Sequence, residues 1–342
     1  MTAPLDPSHI LQTGFGFWPA RTLLSAVELE LFTKLGDEAL TAPELGKRLG
    51  LHPRGFHDFF DSLVALGLLS RDGDGESSRY KNTPQTAHFL DKKKAENYVG
   101  GILEMAGARL YRFWGDLTEA LRTGKPQNEI KHTGAPMFEE LYRSPERLEQ
   151  FMSAMAGISR GNFQALMEKF DFSPYKTLCD VGGATGLLSI LAARHHPHLE
   201  CLSFDLPVVQ PIATRHIEKA GVAGRVKAVA GDFFKEGLPK TDVITMGMIL
   251  HDWNLEGKMR LIRLAHDALP EGGAFIAIEN LIDDARRENA FGLGMSLNML
   301  IEFGDAFDYT GADFSRWCRE AGFRRTEVLH LNGPCSAAIA YK

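Results

Sequence analysis

The sequence predicts an α/β protein in two parts. A helical N-terminal half carries a winged-helix-like unit, and a parallel sheet covered by helices on both faces follows it. Three observations lead there. Apolar residues recur at helical spacing over residues 20–66 and 94–167, interrupted by one short hairpin. Beyond Pro174, short apolar strands alternate with helical stretches, which is the pattern of a parallel sheet with crossover helices. Two strand-like segments joined by Asn332-Gly333-Pro334 then close the chain as an antiparallel hairpin. A length of 342 residues leaves room for about two domains, and the boundary between the halves is expected near residues 165–175.

In the first half, Leu23, Leu24, Val27, Leu31, Phe32 and Leu35 predict one amphipathic helix over 20–35, with Glu28, Glu30 and Lys34 on its other face. Thr41-Ala-Pro-Glu44 is a capping box that opens a short helix ending at Leu49-Gly50. A second helix spans Arg54–Leu66 and stops at Gly67. Leu68–Ser70 and Arg79–Lys81 pair around the polar tip 72–78 to make the wing. Such a unit could read DNA, but its second helix offers one arginine against Asp58 and Asp61, which phosphates would repel. Packing or dimerisation is the better reading. Tyr98, Ile102 and Met105 mark a further helix, and Phe113, Leu117 and Leu121 the next; Gly124-Lys-Pro126 ends the pair. Ser144-Pro145-Glu146 caps another helix, and the lysines at 92–94 read as a solvated helix start.

In the second half, strands are expected at Thr177–Val181, Glu200–Asp205, Arg225–Ala230, Asp242–Leu250 and Ala274–Glu279. Helices fall at Gly186–Arg194, Val208–Ala220 and Lys258–Leu269. The closing hairpin pairs Arg325–Leu331 with Cys335–Tyr341.

Composition narrows the function classes. A net charge of −6 supplies no basic excess for phosphate backbones. Four cysteines without a CxxC pair form no disulfide framework, and no clustered ligand pattern calls for a metal. The N-terminus lacks the features of a signal peptide, and no apolar run approaches membrane-spanning length. A cytoplasmic protein without nucleic-acid or membrane partners is expected.

Ligands of an open parallel sheet bind beyond the carboxyl ends of its strands. The first strand runs into Asp180-Val-Gly-Gly-Ala-Thr-Gly186, whose glycines let the backbone approach a ligand. The second ends in Asp205, placed to accept both hydroxyls of a ribose. The third ends in Gly231-Asp232-Phe233-Phe234, an acid beside an aromatic that suits an adenine. The fourth leads to Leu250-His251-Asp252-Trp253, where His251 is a candidate general base.

Together DVGGATG, FDLP, GDFF, LHDW and the Glu after ALPEGGAFIAI resemble the class I S-adenosylmethionine-dependent small-molecule O-methyltransferases, of the plant phenylpropanoid and bacterial polyketide or phenazine type. The likeness covers nearly the whole chain. It implies a winged-helix dimerisation domain over 1–95, linking helices over 96–168 that serve the substrate pocket and the dimer, and a Rossmann-like catalytic domain over 169–342. S-adenosyl-L-methionine would be the cofactor, S-adenosyl-L-homocysteine its product, and the acceptor a small, flat, aromatic molecule.

The resemblance also implies site roles. Gly182, Gly183 and Ser159 would hold the methionine portion of the cofactor, with Asp180 in the same motif. Asp205 and Leu206 would take the ribose, and Asp232 and Phe233 the adenine. His251 matches the family's base, Glu279 a carboxylate that orients it, and Asp308 would replace a second such glutamate with a shorter reach. Met155 would lie against the substrate, with Met248, Met295 and Met299 as lining. Asp252 is also a substrate candidate, although capping and packing of the following helix is the preferred reading of Asp252 and Trp253. Two departures stand out. Ala184 replaces a usual glycine, and Gly247 stands where plant members often have lysine, which puts one cofactor contact in question.

Two rivals keep or change the chemistry. Members of this fold also methylate carbon, nitrogen or sulfur, or have lost transfer. A nicotinamide-dependent dehydrogenase would instead lead with GxGxxG, which GGATG, GDFF and the closing hairpin speak against.

Overall fold

The structure, a computed structural model, describes residues 5–134, 141–142 and 144–342. Part of the helical stretch expected over 94–167 therefore lies outside the described residues. The chain divides between Arg112 and Phe113 into two compact units. The division expected near 165–175 is thus not where the units part. The helix Gly100–Met105 belongs to the first unit, while the 25-residue helix Pro145–Lys169 belongs to the second, where it packs on the helix Leu187–His195 and on the closing hairpin.

In the first unit, the helix expected over 20–35 is split into Phe17–Glu28 and Leu31–Leu35. Glu30 interrupts it in the left-handed region at φ 57°, an unfavourable conformation for a non-glycine residue. The break aims Leu31, Phe32 and Leu35 into one core with Val27, Leu45, Phe60, Leu63 and Tyr80. The capping box forms as expected, with the Thr41 N–H donating to Glu44 Oε2 at 2.8 Å. The helix Phe56–Ala65 and the hairpin of β2 (Leu69–Asp72) with β3 (Arg79–Asn82) follow. A two-residue strand β1 (Leu40–Thr41) extends the wing to three strands, so the unit is not wholly helical. The lysines at 92–94 lie in turns rather than at a helix start, and Lys92 pairs with Glu30 at 2.6 Å.

The second unit is built on a seven-stranded sheet. Its strands are β4 (Thr177–Val181), β5 (Glu200–Asp205), β6 (Val226–Ala230), β7 (Val243–Gly247), β8 (Ala274–Glu279), β9 (Arg325–Asn332) and β10 (Cys335–Tyr341). The order is β6-β5-β4-β7-β8-β10-β9, with β4 to β8 parallel and the last two strands antiparallel. Side chains alternate across the sheet. Leu178, Ile276, Ile278, Ala337 and Ile339 pack on one face beneath the helices at 145–169 and 187–195. Cys179, Val181, Ile244, Phe275 and Ala277 face the helices Leu255–Ala268 and Gly311–Glu320 on the other. Each large aliphatic side chain buried this way contributes about 1.5–3 kcal/mol. Strand order reverses between β4 and β7, and the crevice of such a sheet opens beyond the carboxyl ends at that point.

Candidate active site at the carboxyl ends of the strands

The turn after β4 is drawn tightly against β5. The Gly182 and Gly183 N–H groups donate to the Phe204 carbonyl at 2.9 and 3.3 Å. A side chain at Gly182 would put Cβ 2.3 Å from Ile249, and one at Gly183 would meet Ser203 Oγ at 2.3 Å. Gly182 also takes φ 69°, so a side chain there is strained as well as crowded, and one at Gly183 would require Ser203 to move. Ala184 takes φ 49°, so the turn keeps a left-handed residue where glycine is absent. Asp205 ends β5, its Oδ2 accepting from the Ala184 N–H at 2.9 Å and its Oδ1 from the Leu206 N–H at 2.7 Å. Burial raises its pKa and these two donors oppose that. Asp180 is buried behind the turn, accepting from Thr245 Oγ1 at 2.8 Å, and burial pushes its pKa up to about 7.

At the end of β6, Gly231 N–H donates to the Asp205 carbonyl at 2.9 Å, which holds the two strand ends side by side. Asp232 caps the short helix Phe233–Glu236, accepts from the Phe234 N–H at 3.0 Å and pairs with Lys235 at 2.9 Å. Phe233 stands edge-on to Trp253, with ring centroids 6.0 Å apart. At the end of β7, a Cβ on Gly247 would lie 3.2 Å from the Phe163 ring. A lysine could not stand there without displacing that ring, which gives the departure at Gly247 a physical reason. Met248 follows with φ 56°, a strained backbone at the mouth of the site.

His251 lies in a single 3₁₀ turn, Leu250–Asp252, between β7 and the helix Leu255–Ala268. Three separate elements bring acids to it. Asp308 Oδ1 is 3.2 Å from His251 Nδ1, and Glu279 Oε2, at the end of β8, is 3.9 Å from the same nitrogen. Asp252 Oδ1 lies 3.3 Å from Nε2. Asp308 therefore reaches the ring more closely than Glu279 despite its shorter side chain. Glu279 uses Oε1 to accept the Leu250 and His251 N–H groups at 3.1 and 3.4 Å, so it anchors the turn's backbone. The capping role preferred for Asp252 is not observed. Asn254 caps the following helix, accepting from the Gly257 N–H at 3.0 Å, while Trp253 packs as expected, on Phe234 and Gly257.

His251, Glu279 and Asp308 are 4%, 1% and 2% exposed. Burial disfavours the imidazolium, yet Glu279, Asp252 and Asp308 together outweigh it and raise the His251 pKa to about 10. Burial is also the leading effect on the acids, lifting Glu279 to about 7 and Asp252 to about 6. The set as a whole therefore holds protons at neutral pH, unlike the imidazole titrating near pH 7 that an isolated histidine provides. Glu279 Oε2 and Asp308 Oδ2 are buried without a hydrogen-bond partner, which marks the cluster as poised for more than packing. The donor atoms of His251, Glu279 and Asp308 all lie within 4.8 Å of one another, close enough for a cation. The Nδ1···Oδ1 hydrogen bond, however, uses the proton that a cation would displace.

The helix Ala290–Phe303 packs on the 250–252 turn and carries Met295 and Met299 one helical turn apart. Its Ser296 Oγ accepts the Asp308 N–H at 3.1 Å, which ties this lining helix to the acid behind His251. Met155 and Ser159 stand two turns and one turn before Phe163 on the helix Pro145–Lys169. Sequence reasoning missed Thr245, Phe163 and above all Lys258, which is fully buried. The signal for Lys258 was present, because it shares a helical stripe with the buried Ile262 and Ala265.

Comparison with known proteins shows the family of the chain. Residues 114–324 match the O-methyltransferase domain, and residues 11–92 match the O-methyltransferase dimerisation domain. The chain belongs to the O-methyltransferase family. The methyltransferase is 40% identical to the tetracenomycin polyketide synthesis 8-O-methyl transferase TcmO of Streptomyces glaucescens, over 98% of this chain and 97% of that one. It is 35% identical to the N,N-dimethyltransferase OxyT of Streptomyces rimosus, over 97% and 96%. The crystal structure of human N-acetylserotonin methyltransferase in complex with SAM superposes with a TM-score of 0.90 at 27% identity, covering 100% of this chain and 99% of that one.

The methyltransferase uses S-adenosyl-L-methionine. Its own residues fit that group. Each Asp205 oxygen accepts one backbone donor, which leaves lone pairs for a diol. The turn at 182–183 presents backbone without side chains. No described helix is long and apolar enough to cross a membrane.

Proposed function

We propose that this methyltransferase methylates a hydroxyl of a small aromatic molecule, with His251 as the general base. The supporting observation is the setting of His251: a buried imidazole in the turn that follows β7, held on one side by Asp308 through Nδ1. When bound, S-adenosyl-L-methionine supplies a methyl group already activated on sulfonium sulfur. Gly182, Gly183 and Ser159 would hold its methionine portion, with Asp180 shaping the turn from behind. Asp205 and Leu206 would hold the ribose, Asp232 and Phe233 the adenine, and Gly247 would leave its backbone open. Met155, Met248, Met295 and Met299 would line the acceptor site, since flexible thioethers suit a flat aromatic ring.

The remaining chemistry belongs to the chain. His251 Nε2 takes the acceptor's proton as the oxygen attacks. Asp308 fixes the tautomer by holding the proton on Nδ1 and stabilises the imidazolium that forms, and Glu279 keeps the turn in place. Asp252, 3.3 Å from Nε2, borders the acceptor's hydroxyl rather than the next helix. The TcmO relative, named for polyketide synthesis and O-methyl transfer, supports an aromatic hydroxyl as acceptor.

The dimerisation match at residues 11–92 supports a homodimer built through the first unit. Phe17 and Trp18 on the helix Phe17–Glu28 and Phe15 in the turn before it are exposed, forming an apolar patch that a second copy would cover. The three-part division at 95 and 168 then describes roles: dimerisation first, pocket lining next, cofactor binding last.

His251→Gln tests the base. At pH 9, turnover on a weakly acidic hydroxyl should fall by about 10²–10⁴-fold while S-adenosylhomocysteine affinity is retained. Near-wild-type turnover by the folded variant would remove the base and leave alignment alone. The OxyT relative motivates a second reading, an amine acceptor. A neutral amine already has its lone pair free, so a variant that keeps turnover on amines but not hydroxyls would favour nitrogen.

A further inference from the structure

We infer that Lys258 is a positioning residue for His251. Its buried ammonium ties the turn carrying His251 and Asp252 to the segment carrying Asp308, and supplies the counter-charge for their carboxylates.

The geometry shows the tie from both sides. Lys258 lies one turn after the cap of the helix Leu255–Ala268, and its side chain turns back so that Nζ donates to the Trp253 carbonyl. That carbonyl directly follows Asp252. The same ammonium lies 3.8 Å from the centre of the Phe307 ring and 5.8 Å from that of Tyr309, the residues on either side of Asp308. Lys258 thus joins the two elements whose side chains meet at His251 Nδ1 and Nε2.

Charge argues the same way. The ammonium is influenced by Glu279 from β8, Asp308 and Asp305 from the segment after the helix Ala290–Phe303, and Asp252 from the turn. Glu302, at the end of that helix, adds to the acids around Asp252. Lys258 has no exposed surface, and burial draws its pKa down to about 8. Burying a lysine is costly, and an apolar residue would fill the same stripe beside Ile262 and Ala265. A charge kept there is explained by the acids it faces. They hold the His251 proton, and a cation among them limits how tightly they hold it.

This rests on the reading of His251 as the base only for its consequence in turnover; the effect on the imidazole can be read directly. The test is NMR titration of histidine-labelled protein, with the His251 resonance assigned as the signal missing from His251→Gln. Lys258 loses its proton near pH 8, below the His251 midpoint, so Lys258→Arg, which stays charged throughout, should lower that midpoint by about one pH unit or more. Lys258→Met and Lys258→Gln carry no charge in that range and should leave the midpoint near wild type, the glutamine serving if the methionine variant fails to fold. The acid limb of turnover should move with the resonance. An unmoved midpoint in folded Lys258→Arg that still binds S-adenosylhomocysteine would overturn the proposal. A moved midpoint alongside full turnover in His251→Gln would uphold Lys258 and remove the base instead.

Discussion

Both units carry exposed ion pairs, such as Arg263–Glu320 and Arg324–Glu271 in the second, but they differ in the charge they bury. In the first, ion pairs lie on the surface: Arg54 and Asp58 are 80% and 73% exposed, and Arg71–Asp61 and Lys81–Asp72 are open to water as well. Pairs of this kind contribute about 0–1 kcal/mol each. In the second unit, His251, Glu279, Asp308 and Lys258 are all buried within one small region. Placing such groups out of water costs several kcal/mol per ion unless partners compensate. A fold tolerates that cost where the chemistry uses it. The contrast points to where function lies more sharply than any single motif: the ion pairs named in the winged-helix-like unit stay in water, whereas the sheet unit gathers buried charges around a histidine.

That contrast can be broken at its strongest points first. Asp205→Ala removes the acceptor at the end of β5 that would pair with the ribose hydroxyls. Loss of a hydrogen-bonded charged partner should weaken S-adenosylhomocysteine binding by about 1.5–3 kcal/mol in calorimetry. An unchanged affinity would show that Asp205 is not the ribose ligand.

A smaller effect is expected at the apolar patch of the first unit. Trp18→Glu places a charge on the surface assigned to the second copy, and should weaken the dimer by about 2 kcal/mol in sedimentation or light scattering. A dimer of unaltered strength would move the interface elsewhere. The smallest effect belongs to the surface pair. Arg54→Ala should change stability by less than about 1 kcal/mol in urea denaturation and leave turnover alone. A large loss of activity there would mean that the first unit's charges matter to the reaction and that the division drawn above is false.

Much of the fold was legible because its periodicities are strong. Strands β4, β5, β8 and β10 have the bounds that the sequence predicts, since each is a short apolar run between turn residues. The break at Glu30 was not legible, because nothing in its side chain announces a left-handed backbone and only the packing of Leu31, Phe32 and Leu35 requires it. The division at Arg112 was hidden for a similar reason: the helices on either side have the same texture, and which core each one joins is a tertiary fact.

The site shows the same split. His251 and Glu279 could be named because one follows a strand and the other ends one, each inside a recognisable motif, although β7 stops at Gly247 and not at Leu250 as expected. The division of labour between Glu279 and Asp308 could not, since a difference of 3.2 against 3.9 Å depends on where two distant segments meet. Asp252 was misread because a helix starts three residues on, at Leu255, and Asn254 took the cap. Lys258 was passed over because a lysine on a helix is ordinarily solvated, and its buried head appears only when the 305–309 segment folds over it.

The central claim is that a histidine held by buried carboxylates removes the acceptor's proton, and pH tests it most directly. The working form of a base is neutral, and its acids hold the imidazole's proton more tightly than usual, up to about 10 in the free enzyme. Turnover should therefore be low in acid and still be rising above pH 7. The measurement is the ratio of wild-type to His251→Gln turnover across pH 5 to 10, with saturating cofactor and a hydroxyl too weak an acid to ionise in that range. The account predicts a ratio that climbs about tenfold per pH unit below its midpoint, with that midpoint above neutrality. A ratio that is flat across the range, or that has levelled off by pH 6, would contradict it.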